Sequence, residues 1–281
     1  MTDFPLSAQE IETFIDIAFA EDVGDGDVTC ATVIPAEARL KAVMNAREDM
    51  VVAGLPLVAP IFHQLDPDCQ VTFDAKDGDK VRPGTPLVTL EGKARALLTA
   101  ERTALNIVQH LAGIATLTRT YVDRIDGTGA RLLDTRKTIP GLRKLEKYAT
   151  AMGGAKNHRM GLFDAVMIKD NHIAVAGSVS KAVAGAKAAG RTDIQVECDT
   201  LDQVREALDA GANSLLLDNM SLAMLREAVA MVDGRITCEA SGGVTLETIR
   251  PIAETGVDYI SVGRLTQSAP AVDIGLDFSA A

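Results

Sequence analysis

The N-terminal segment carries a hydrophobic pattern of helical period. Its apolar residues recur three and four positions apart, which predicts an amphipathic helix that buries Ile11, Phe14, Ile15 and Phe19. Ser7 precedes this pattern and Glu10 follows three residues later, the pairing of a capping box, so the helix is expected to begin just after Ser7. It is expected to end near Glu21, with "EDVGDGDVT" following as a loop.

Residues 38 to 90 show short apolar runs separated by turn residues. Four segments are predicted to be strands: "ARLKAVMNAR", "MVVAGLPLV", "CQVTFDAKDGDKV" and "TPLVTLEG". A long amphipathic helical pattern then covers residues 94 to 125, and Gly113 inside it indicates either a break or a close approach to a neighbouring element. We place the domain boundary there, with one domain over 1–113, on which the C-terminal tail is able to pack back, and a second over 114–281.

Beyond residue 130 apolar runs alternate with helical patterns. The predicted strands are "RLLDT", "AVMIKD", "DIQVECD", "SLLLDN", "RITCEASGG" and "DYISVGR", and the helices between them are "SVSKAVAGAKAAG", "LDQVREALDAG", "SLAMLREAVAMV" and "TLETIRPIAETG". Apolar strands joined by helices of about ten residues indicate a parallel sheet with right-handed crossovers. Six or so such units favour an α/β barrel, complete or open, over a doubly wound sheet.

The composition narrows the function classes. The chain has 281 residues, a formal net charge of -11 and no tryptophan, which argues against a nucleic-acid surface because phosphate backbones need cations and single strands need aromatic stacking. No stretch reaches the roughly 18 uncharged apolar residues of a membrane span. The four cysteines lack CxxC spacing, which indicates free thiols of a reducing cytoplasm. The sequence therefore predicts a cytoplasmic protein without nucleic-acid or membrane partners.

One stretch departs from this acidic average. Residues 131–172 hold nine lysines and arginines against four acids, most of them in "DTRKTIPGLRKLEKYATAMGGAKNHRMG". A solvated helix face is the ordinary explanation of a charge run. It suits Arg143, Lys144 and Lys147 in "GLRKLEKYA", which we interpret as a solvated or interface face. For the other bases a cleft for a small anion is the alternative, because a local cluster overcomes the global charge at short range.

The ends of the predicted barrel strands are polar. Functional groups of a parallel α/β barrel project from the C-terminal ends of its strands, and those ends carry Arg136, Lys137, Lys169, Glu197, Asp218, Glu239, Ser241 and Arg264. Two adjacent loops are glycine-rich: "SGGVT", predicted to open a helix, contains Gly242 and Gly243, and "SVGR" contains Gly263. Such loops expose backbone N–H groups that hold phosphate. The sequence predicts an anion site with phosphate on these loops.

Glu197 and Asp218 end consecutive strands. Two carboxylates completed by phosphate oxygens suit Mg²⁺, whereas an N-capping role for Asp218 and an ion pair between Glu197 and Lys169 are the structural alternatives. Lys169 also allows a second chemistry, a Schiff base with a carbonyl substrate. That chemistry needs a lysine of lowered pKa, and the neighbouring acids favour the charged form.

The long motifs of the chain resemble one family. "DTRKTIPGLRKLEKYATAMGGAKNHRMGLFDAVMIKDNHI" is similar to the signature of quinolinate phosphoribosyltransferase, also called nicotinate-nucleotide pyrophosphorylase (carboxylating), and the likeness continues through "EDVGDGDVT", "ERTALNIVQHLAGIAT", "VEC", "LLLDN", "EASGGV" and "DYISVGRLTQSAPAVDIGLDF". A related family linked to molybdenum genes shares "TRKT" but lacks the "NHR…KDNH" run. The resemblance implies an N-terminal α/β sandwich domain followed by an incomplete (open) α/β barrel similar to a TIM barrel.

The resemblance also implies a reaction and its residues. Quinolinate and phosphoribosyl pyrophosphate are expected to give nicotinate mononucleotide, pyrophosphate and CO₂, with Mg²⁺, in NAD biosynthesis. The implied substrate-binding residues are Arg102, Arg136, Lys137, His158, Arg159, Lys169, Ser241, Gly242, Gly243 and Gly263, of which the quinolinate pocket takes Arg136, His158, Arg159 and Lys169. The implied catalytic residues are Lys137, Lys169, Glu197 and Asp218, the last two also holding the metal. Arg102 is expected to enter the partner's site in a homodimer.

Two positions depart from the family pattern. His110 stands where an arginine is expected, and Arg264 stands where a smaller residue is expected. Two other functions remain open beside the family's reaction. One is a Schiff-base lyase on a phosphate-binding barrel, and the other is a regulator that binds an anion without catalysis.

Overall fold

A computed structural model describes residues 3–280. Its helices are α1 Ala8–Asp22, α2 Val28–Val33, α3 Val58–His63, α4 Ala94–Arg124, α5 Arg143–Met152, α6 Asp170–Ala176, α7 Val179–Ala188, α8 Leu201–Ala210, α9 Leu222–Val232, α10 Ile249–Ala253 and α11 Arg264–Gln267. Its strands are β1 Arg39–Ala46, β2 Met50–Val51, β3 Gln70–Phe73, β4 Lys80–Val81, β5 Pro86–Lys93, β6 Arg131–Leu133, β7 Val166–Ile168, β8 Ile194–Cys198, β9 Ser214–Asp218, β10 Thr237–Ser241, β11 Tyr259–Ser261 and β12 Ile274–Ala280.

The chain divides into two compact units. The N-terminal unit comprises the described residues up to 118 together with 140–153 and those from 268 onward, so it includes α5 and β12. The barrel unit comprises 119–139 and 154–267. The basic stretch of the sequence therefore contributes to both units. No helix within residues 3–280 is long and apolar enough to cross a membrane.

The N-terminal unit is built on a four-stranded sheet in the order β12-β1-β5-β3. In β1 the buried residues Ala42, Met44 and Ala46 alternate with more exposed ones, as expected for a strand with one face on the core. β12 pairs antiparallel with β1 along seven residue pairs, so the last strand of the chain completes the first sheet. The first helix is confirmed, with Ser7 and Glu10 forming the expected capping box.

Helix α4 is continuous through Gly113, so the predicted break is wrong and the predicted close approach is confirmed. A Cβ atom at Gly113 would lie 2.1 Å from the main-chain oxygen of Pro270. Only a residue without a side chain allows that separation. The glycine is therefore a packing residue inside one long helix.

The segment "MVVAGLPLV" is the largest error of the strand prediction. Only Met50–Val51 is extended, and after it Gly54 adopts a left-handed φ of 99° that starts a 3₁₀ turn and then α3. Asp77 accepts hydrogen bonds from the N–H groups of Gly54 (2.8 Å) and Leu55 (3.1 Å) and so fixes this turn. Because nearly every residue of the segment is buried, its apolar run has no period that distinguishes strand from helix.

Helix α5 corrects the interpretation of the basic helix face. Lys144 is exposed and pairs with Glu10 at 2.5 Å, as expected of a solvated base. Lys147 is only 1% exposed and Glu146 is fully buried, so the solvated reading of Lys147 is wrong. His110 lies 2.9 Å from the Glu146 carboxylate, which gives the unexpected histidine of the sequence a partner inside the N-terminal unit.

The barrel unit has six parallel strands in the order β6-β11-β10-β9-β8-β7. All six predicted strands are confirmed, and so is the open α/β barrel, since β6 and β7 are edge strands of this sheet. Three of the predicted helices match α7, α8 and α9. The fourth starts later than expected: α10 begins at Ile249, because residues 245–248 form a turn in which the Thr245 and Thr248 hydroxyls accept from each other's main-chain N–H groups.

Candidate active site

The barrel register brings several predicted residues to one end of the sheet. Asp218 at the end of β9 is the register partner of Ser241 at the end of β10. Glu197 in β8 pairs with Leu216 of β9, which in turn pairs with Glu239 of β10, so the two glutamates lie in one layer below that end. Adjacent parallel strands are about 4.8 Å apart, so these side chains share one region.

Lys169 and Glu197 form an ion pair between the lysine Nζ and Oε2 of the carboxylate. Glu197 is 12% exposed and Lys169 is 42% exposed, so the pair lies at the rim of the barrel and not in its core. The Lys169 main-chain N–H donates to Nδ1 of His172 at 2.9 Å, which fixes the start of α6. An amine engaged by a carboxylate is not free to attack a carbonyl carbon. The geometry supports a positive contact for an anion and argues against a Schiff-base nucleophile.

Asn219 was not singled out from the sequence, yet it connects two predicted elements of the site. Its Nδ2 donates to Oδ2 of Asp218 at 2.6 Å, and its main-chain N–H donates to the Ser241 carbonyl at 2.9 Å. A Cβ on Gly242 would lie 2.1 Å from the Asn219 side-chain oxygen. The φ of Asn219 is 53°, a left-handed value that asparagine tolerates better than most residues. The "DN" dipeptide at a strand end is the signal that predicts such a residue.

Lys137 is held against the last glycine loop. A Cβ at Gly263 would lie 2.7 Å from Cδ of Lys137, so the lysine stem rests directly on the glycine. Oγ1 of Thr266 donates to the Lys137 carbonyl at 2.7 Å. Arg264 is exposed at the start of α11. A hydrogen bond from Thr245 lowers the pKa of Glu247, with smaller contributions from the charges of Arg124 and Arg264. Gly263 therefore positions a lysine, in addition to the phosphate contact predicted for its loop.

The segment before His158 runs alongside the first barrel strand. Lys156 donates its N–H to the Leu132 carbonyl at 2.9 Å. Asp134, fully buried at the end of β6, accepts from the His158 N–H at 2.8 Å and from Nδ2 of Asn157 at 2.7 Å. Asp134 was missed by sequence reasoning, because a buried acid inside a basic motif gives no signal of its own. Its hydrogen bonds join the "NHR" segment, residues 157–159, to the "DTRK" segment, residues 134–137.

Arg159 projects from this segment beside Arg136. Its guanidinium donates to the Ala165 carbonyl at 3.0 Å and contacts Sδ of Met167 at 3.7 Å. Burial, and then the positive charge of Arg136, lower the pKa of Arg159. Two half-buried guanidinium groups that repel each other are stabilised when an anion binds between them.

The remaining predicted site residues are Arg102 and the two carboxylates predicted to bind a metal, Glu197 and Asp218. Arg102 is exposed on α4 and belongs to the N-terminal unit, whereas the other predicted site residues belong to the barrel unit. Within the described part of the chain, no group of three or more His, Cys, Asp or Glu side chains is arranged to hold a metal ion. Glu197 and Asp218, the two predicted metal ligands, thus have no third such side chain arranged with them among the described residues.

Comparison with known proteins gives the family. The family models for the N-terminal and C-terminal domains of quinolinate phosphoribosyl transferase match residues 27–112 and 114–277. A protein of Bacillus subtilis (strain 168) named "Probable nicotinate-nucleotide pyrophosphorylase [carboxylating]" is 42% identical over 270 residues, covering 95% of this chain and 93% of that protein. "Quinolinate phosphoribosyltransferase [decarboxylating] 1b" of Nicotiana tabacum is 43% identical over 288 residues, covering 95% and 82%.

A solved structure agrees with these sequence relatives. The nicotinate-nucleotide pyrophosphorylase of Francisella tularensis superposes with a TM-score of 0.94 at 38% identity, covering 99% of this chain and all of that one. Both domain models, both relatives and the fold thus lead to the same assignment. The chain belongs to the quinolinate phosphoribosyltransferase family.

Proposed function

We propose that this protein transfers the phosphoribosyl group of phosphoribosyl pyrophosphate to quinolinate with loss of one carboxylate. The products are nicotinate mononucleotide, pyrophosphate and CO₂, which places the reaction in NAD biosynthesis. Family membership supports the reaction type. The observation that carries it in this chain is the pair Arg136 and Arg159: both are half-buried, and burial, followed by the charge of Arg136, lowers the pKa of Arg159.

The arginine pair suits a dicarboxylate. A guanidinium presents a planar fork that binds a carboxylate through two parallel hydrogen bonds, which an ammonium cannot do. Quinolinate has two adjacent ring carboxylates, so two neighbouring forks match its charge and its shape. Lys169, released from Glu197, supplies a third cationic contact.

Sugar transfer forms a bond between the quinolinate nitrogen and C1 of the ribose while the bond from C1 to pyrophosphate breaks. The sugar passes through a cationic state, and negative charge builds on the departing pyrophosphate. In this proposal Lys137, whose stem rests on Gly263, stabilises that charge, and main-chain N–H groups of the loop of Gly242 and Gly243 bind the phosphate. The protein supplies placed charge and no covalent nucleophile.

Decarboxylation follows from the product of the transfer. Once the ring nitrogen carries the sugar it is positively charged, and it accepts electron density as the bond from the ring carbon to the adjacent carboxylate breaks. CO₂ leaves, and the ring carbon takes a proton. The second carboxylate stays bound to the arginine pair and holds the ring in place.

We also propose Mg²⁺ as the cofactor, held by Glu197 and Asp218. Their positions near the ends of neighbouring strands β8 and β9 fit a hard cation that keeps ligand oxygens and water in its shell. When bound, the metal neutralises pyrophosphate charge. Equilibrium binding of the pyrophosphate donor with and without Mg²⁺ tests this, and Asp218→Asn is expected to remove the metal dependence of donor binding.

We further propose a homodimer in which Arg102 serves the partner's site. Arg102 is exposed and lies on α4, away from the residues of the barrel site in sequence. Mixing Arg102→Ala with Arg159→Ala chains tests the exchange. In a mixed dimer, one site would receive both wild-type arginines, so activity should return to about a quarter of the wild-type level after subunit exchange. Activity that stays at the level of the separate variants would contradict the proposal.

A cytoplasmic location is proposed on the state of the thiols. Cys30, Cys69, Cys198 and Cys238 are all free and buried, as expected of a protein from a reducing compartment. Several relatives in plants carry the words mitochondrial or chloroplastic in their names. Cell fractionation followed by immunoblotting tests the location.

The activity itself is tested by mixing purified protein with quinolinate, phosphoribosyl pyrophosphate and Mg²⁺. Chromatography measures the formation of nicotinate mononucleotide. Quinolinate labelled in the carboxylate that is lost measures the release of CO₂. Omitting each component, and replacing quinolinate with nicotinate, should abolish product. Borohydride trapping of Lys169 or Lys137 on a substrate that carries a ketone or aldehyde would instead indicate Schiff-base chemistry.

A further inference from the structure

Both ring nitrogens of His158 are engaged inside the barrel unit. Nδ1 accepts a hydrogen bond from the main-chain N–H of Arg159 at 2.7 Å. Nε2 lies 3.2 Å from Oε2 of Glu239. A nitrogen that faces an N–H donor cannot itself carry a proton, so the single ring proton is on Nε2 and is donated to the carboxylate.

Glu239 is built into the sheet to receive that proton donor. Its side chain is 4% exposed, and Nε2 of Gln195, from β8, donates to the same Oε2 at 2.8 Å. Burial raises the pKa of this carboxyl group, but hydrogen bonds from His158, Ser261 and Gln195 outweigh it, so the pKa lies below its usual range. A buried carboxylate held by the Gln195 amide and the Ser261 hydroxyl is a fixed acceptor, and it orients the imidazole.

The chain of contacts ends at Arg159. The main-chain N–H of Arg159 donates to the His158 ring, and the main-chain N–H of His158 donates to Asp134. The Arg159 guanidinium donates to the Ala165 carbonyl. The main chain and the guanidinium of Arg159 therefore each have an anchor within the barrel unit. The imidazole has no ring nitrogen left over for a substrate, because one accepts from the backbone and the other donates to Glu239.

We propose that Glu239 and His158 are positioning residues that fix Arg159 for binding of an aromatic dicarboxylate. His158 is a neutral imidazole with its proton on Nε2, and it links Glu239 of the sheet to the main chain of Arg159 through two hydrogen bonds. It does not act as an acid or a base, and it does not contact the anion directly. The proposal rests on the proposed function for its ligand, quinolinate, and on the contacts above for its geometry.

Matched variants of His158 separate the two ring nitrogens. Asparagine places an oxygen where Nδ1 stands, so His158→Asn keeps the acceptor for the Arg159 N–H. Glutamine places an amide nitrogen where Nε2 stands, so His158→Gln keeps the donor to Glu239. We expect His158→Gln to raise the quinolinate Kd about tenfold more than His158→Asn, the effect of one hydrogen bond. The reverse order, or an equal loss in both variants, would overturn the proposal.

Glu239 gives the corresponding pair. Glu239→Gln keeps an oxygen that accepts from Nε2 of His158, whereas Glu239→Ala removes it, so the glutamine variant should restore most of the quinolinate affinity lost in the alanine variant. The KM for phosphoribosyl pyrophosphate should change less than about twofold in both, because the network ends at Arg159. A KM for the pyrophosphate donor that rises in parallel with that for quinolinate would contradict a role confined to Arg159.

The tautomer is measured directly in the wild-type protein, independently of how the variants fold. The chain has four histidines, so ¹⁵N-labelled histidine gives a simple spectrum in which His158→Asn identifies one signal. We expect the proton on Nε2 and none on Nδ1, and a ring that carries a proton on Nδ1 would overturn the proposal. If the wild type fails to form nicotinate mononucleotide, the proposed function fails, while the tautomer result still decides how Arg159 is held.

Discussion

The two units use buried charge for different purposes. In the N-terminal unit, Asp66 accepts from the Lys93 N–H and Glu146 contacts His110, so each joins separate elements of the scaffold. In the barrel unit, Asp134 and Glu239 hold the backbone and the ring of "NHR". Buried carboxylates are costly unless they are hydrogen-bonded. In the N-terminal unit the buried carboxylates join elements of the scaffold, and in the barrel unit they fix side chains of the candidate site.

The basic stretch illustrates the same difference within forty residues. Its ends, with Arg136 and Arg159, belong to the barrel unit and form the arginine pair. Its middle, α5, belongs to the N-terminal unit and contains the buried Lys147. Identical charges in one run of sequence therefore have separate roles. The comparison predicts that substitutions in α5 lower stability, whereas substitutions at the ends lower activity.

The largest effect is expected for Glu146→Ala. Removing this fully buried side chain leaves a cavity and takes away the hydrogen-bond partner of His110, which together cost about 3–5 kcal/mol of unfolding free energy. Urea denaturation measures it. The control is Glu254→Ala, which removes an exposed pair with Arg250 in the barrel unit and should cost less than about 1 kcal/mol. Equal costs for the two variants would show that the carboxylate of Glu146 is not a stabilising part of the scaffold.

Arg159→Ala should show the opposite balance. Loss of a guanidinium that binds a carboxylate costs about 3 kcal/mol of binding, or roughly 100-fold in kcat/KM for quinolinate. Stability should change little, because burial and the neighbouring Arg136 already disfavour the charged group in the empty site. Steady-state kinetics and thermal unfolding measure the two effects. A full activity with lowered stability would place Arg159 among the scaffold residues.

Gly263→Ala sharpens the comparison inside the barrel unit. The new Cβ would overlap Cδ of Lys137 at 2.7 Å, so the lysine must move, and we expect about a tenfold loss of kcat from a displaced charge. Gly185→Ala in α7 is the matched control, since its Cβ meets no atom within 4 Å. That variant should keep activity and gain about 0.5–1 kcal/mol of stability. Unchanged kcat in Gly263→Ala would mean that the position of Lys137 is not critical.

The smallest effect concerns pH and Asp27. This residue caps α2, and hydrogen bonds from Cys30, and then Thr99, lower its pKa to about 2. A carboxyl group whose pKa falls on folding stabilises the protein when ionised, fully above its ordinary pKa, and loses that contribution as the pH falls toward 2. Asp27→Asn should lower Tm by about 2 °C at pH 6. The gap should close between pH 4 and pH 2, and a gap that persists there would exclude the ionised carboxylate as its cause.

The sequence predicted the barrel well and the first sheet less well, for a physical reason. Barrel strands are short apolar runs bounded by polar ends and linked by amphipathic helices, so both periods are visible. In the N-terminal unit, residues 50–58 are almost uniformly buried, so their apolar pattern has no period. The left-handed Gly54 there starts a turn that leads into a helix, which the pattern does not predict. Candidate residues at strand ends were visible because polar groups there contrast with apolar strands.

The sequence by itself determined the family, the parallel strands and the residues at their ends, because these depend on local pattern and on long motifs. Only the tertiary structure decided what each charge contacts. Lys147 is buried although Lys144, one turn earlier on the same helix, is exposed, and Glu239 holds His158 from a strand about eighty residues away. Asn219 links Asp218 to the glycine loop through a left-handed turn. Such contacts join residues distant in sequence, and their energies depend on burial, which one-dimensional pattern does not record.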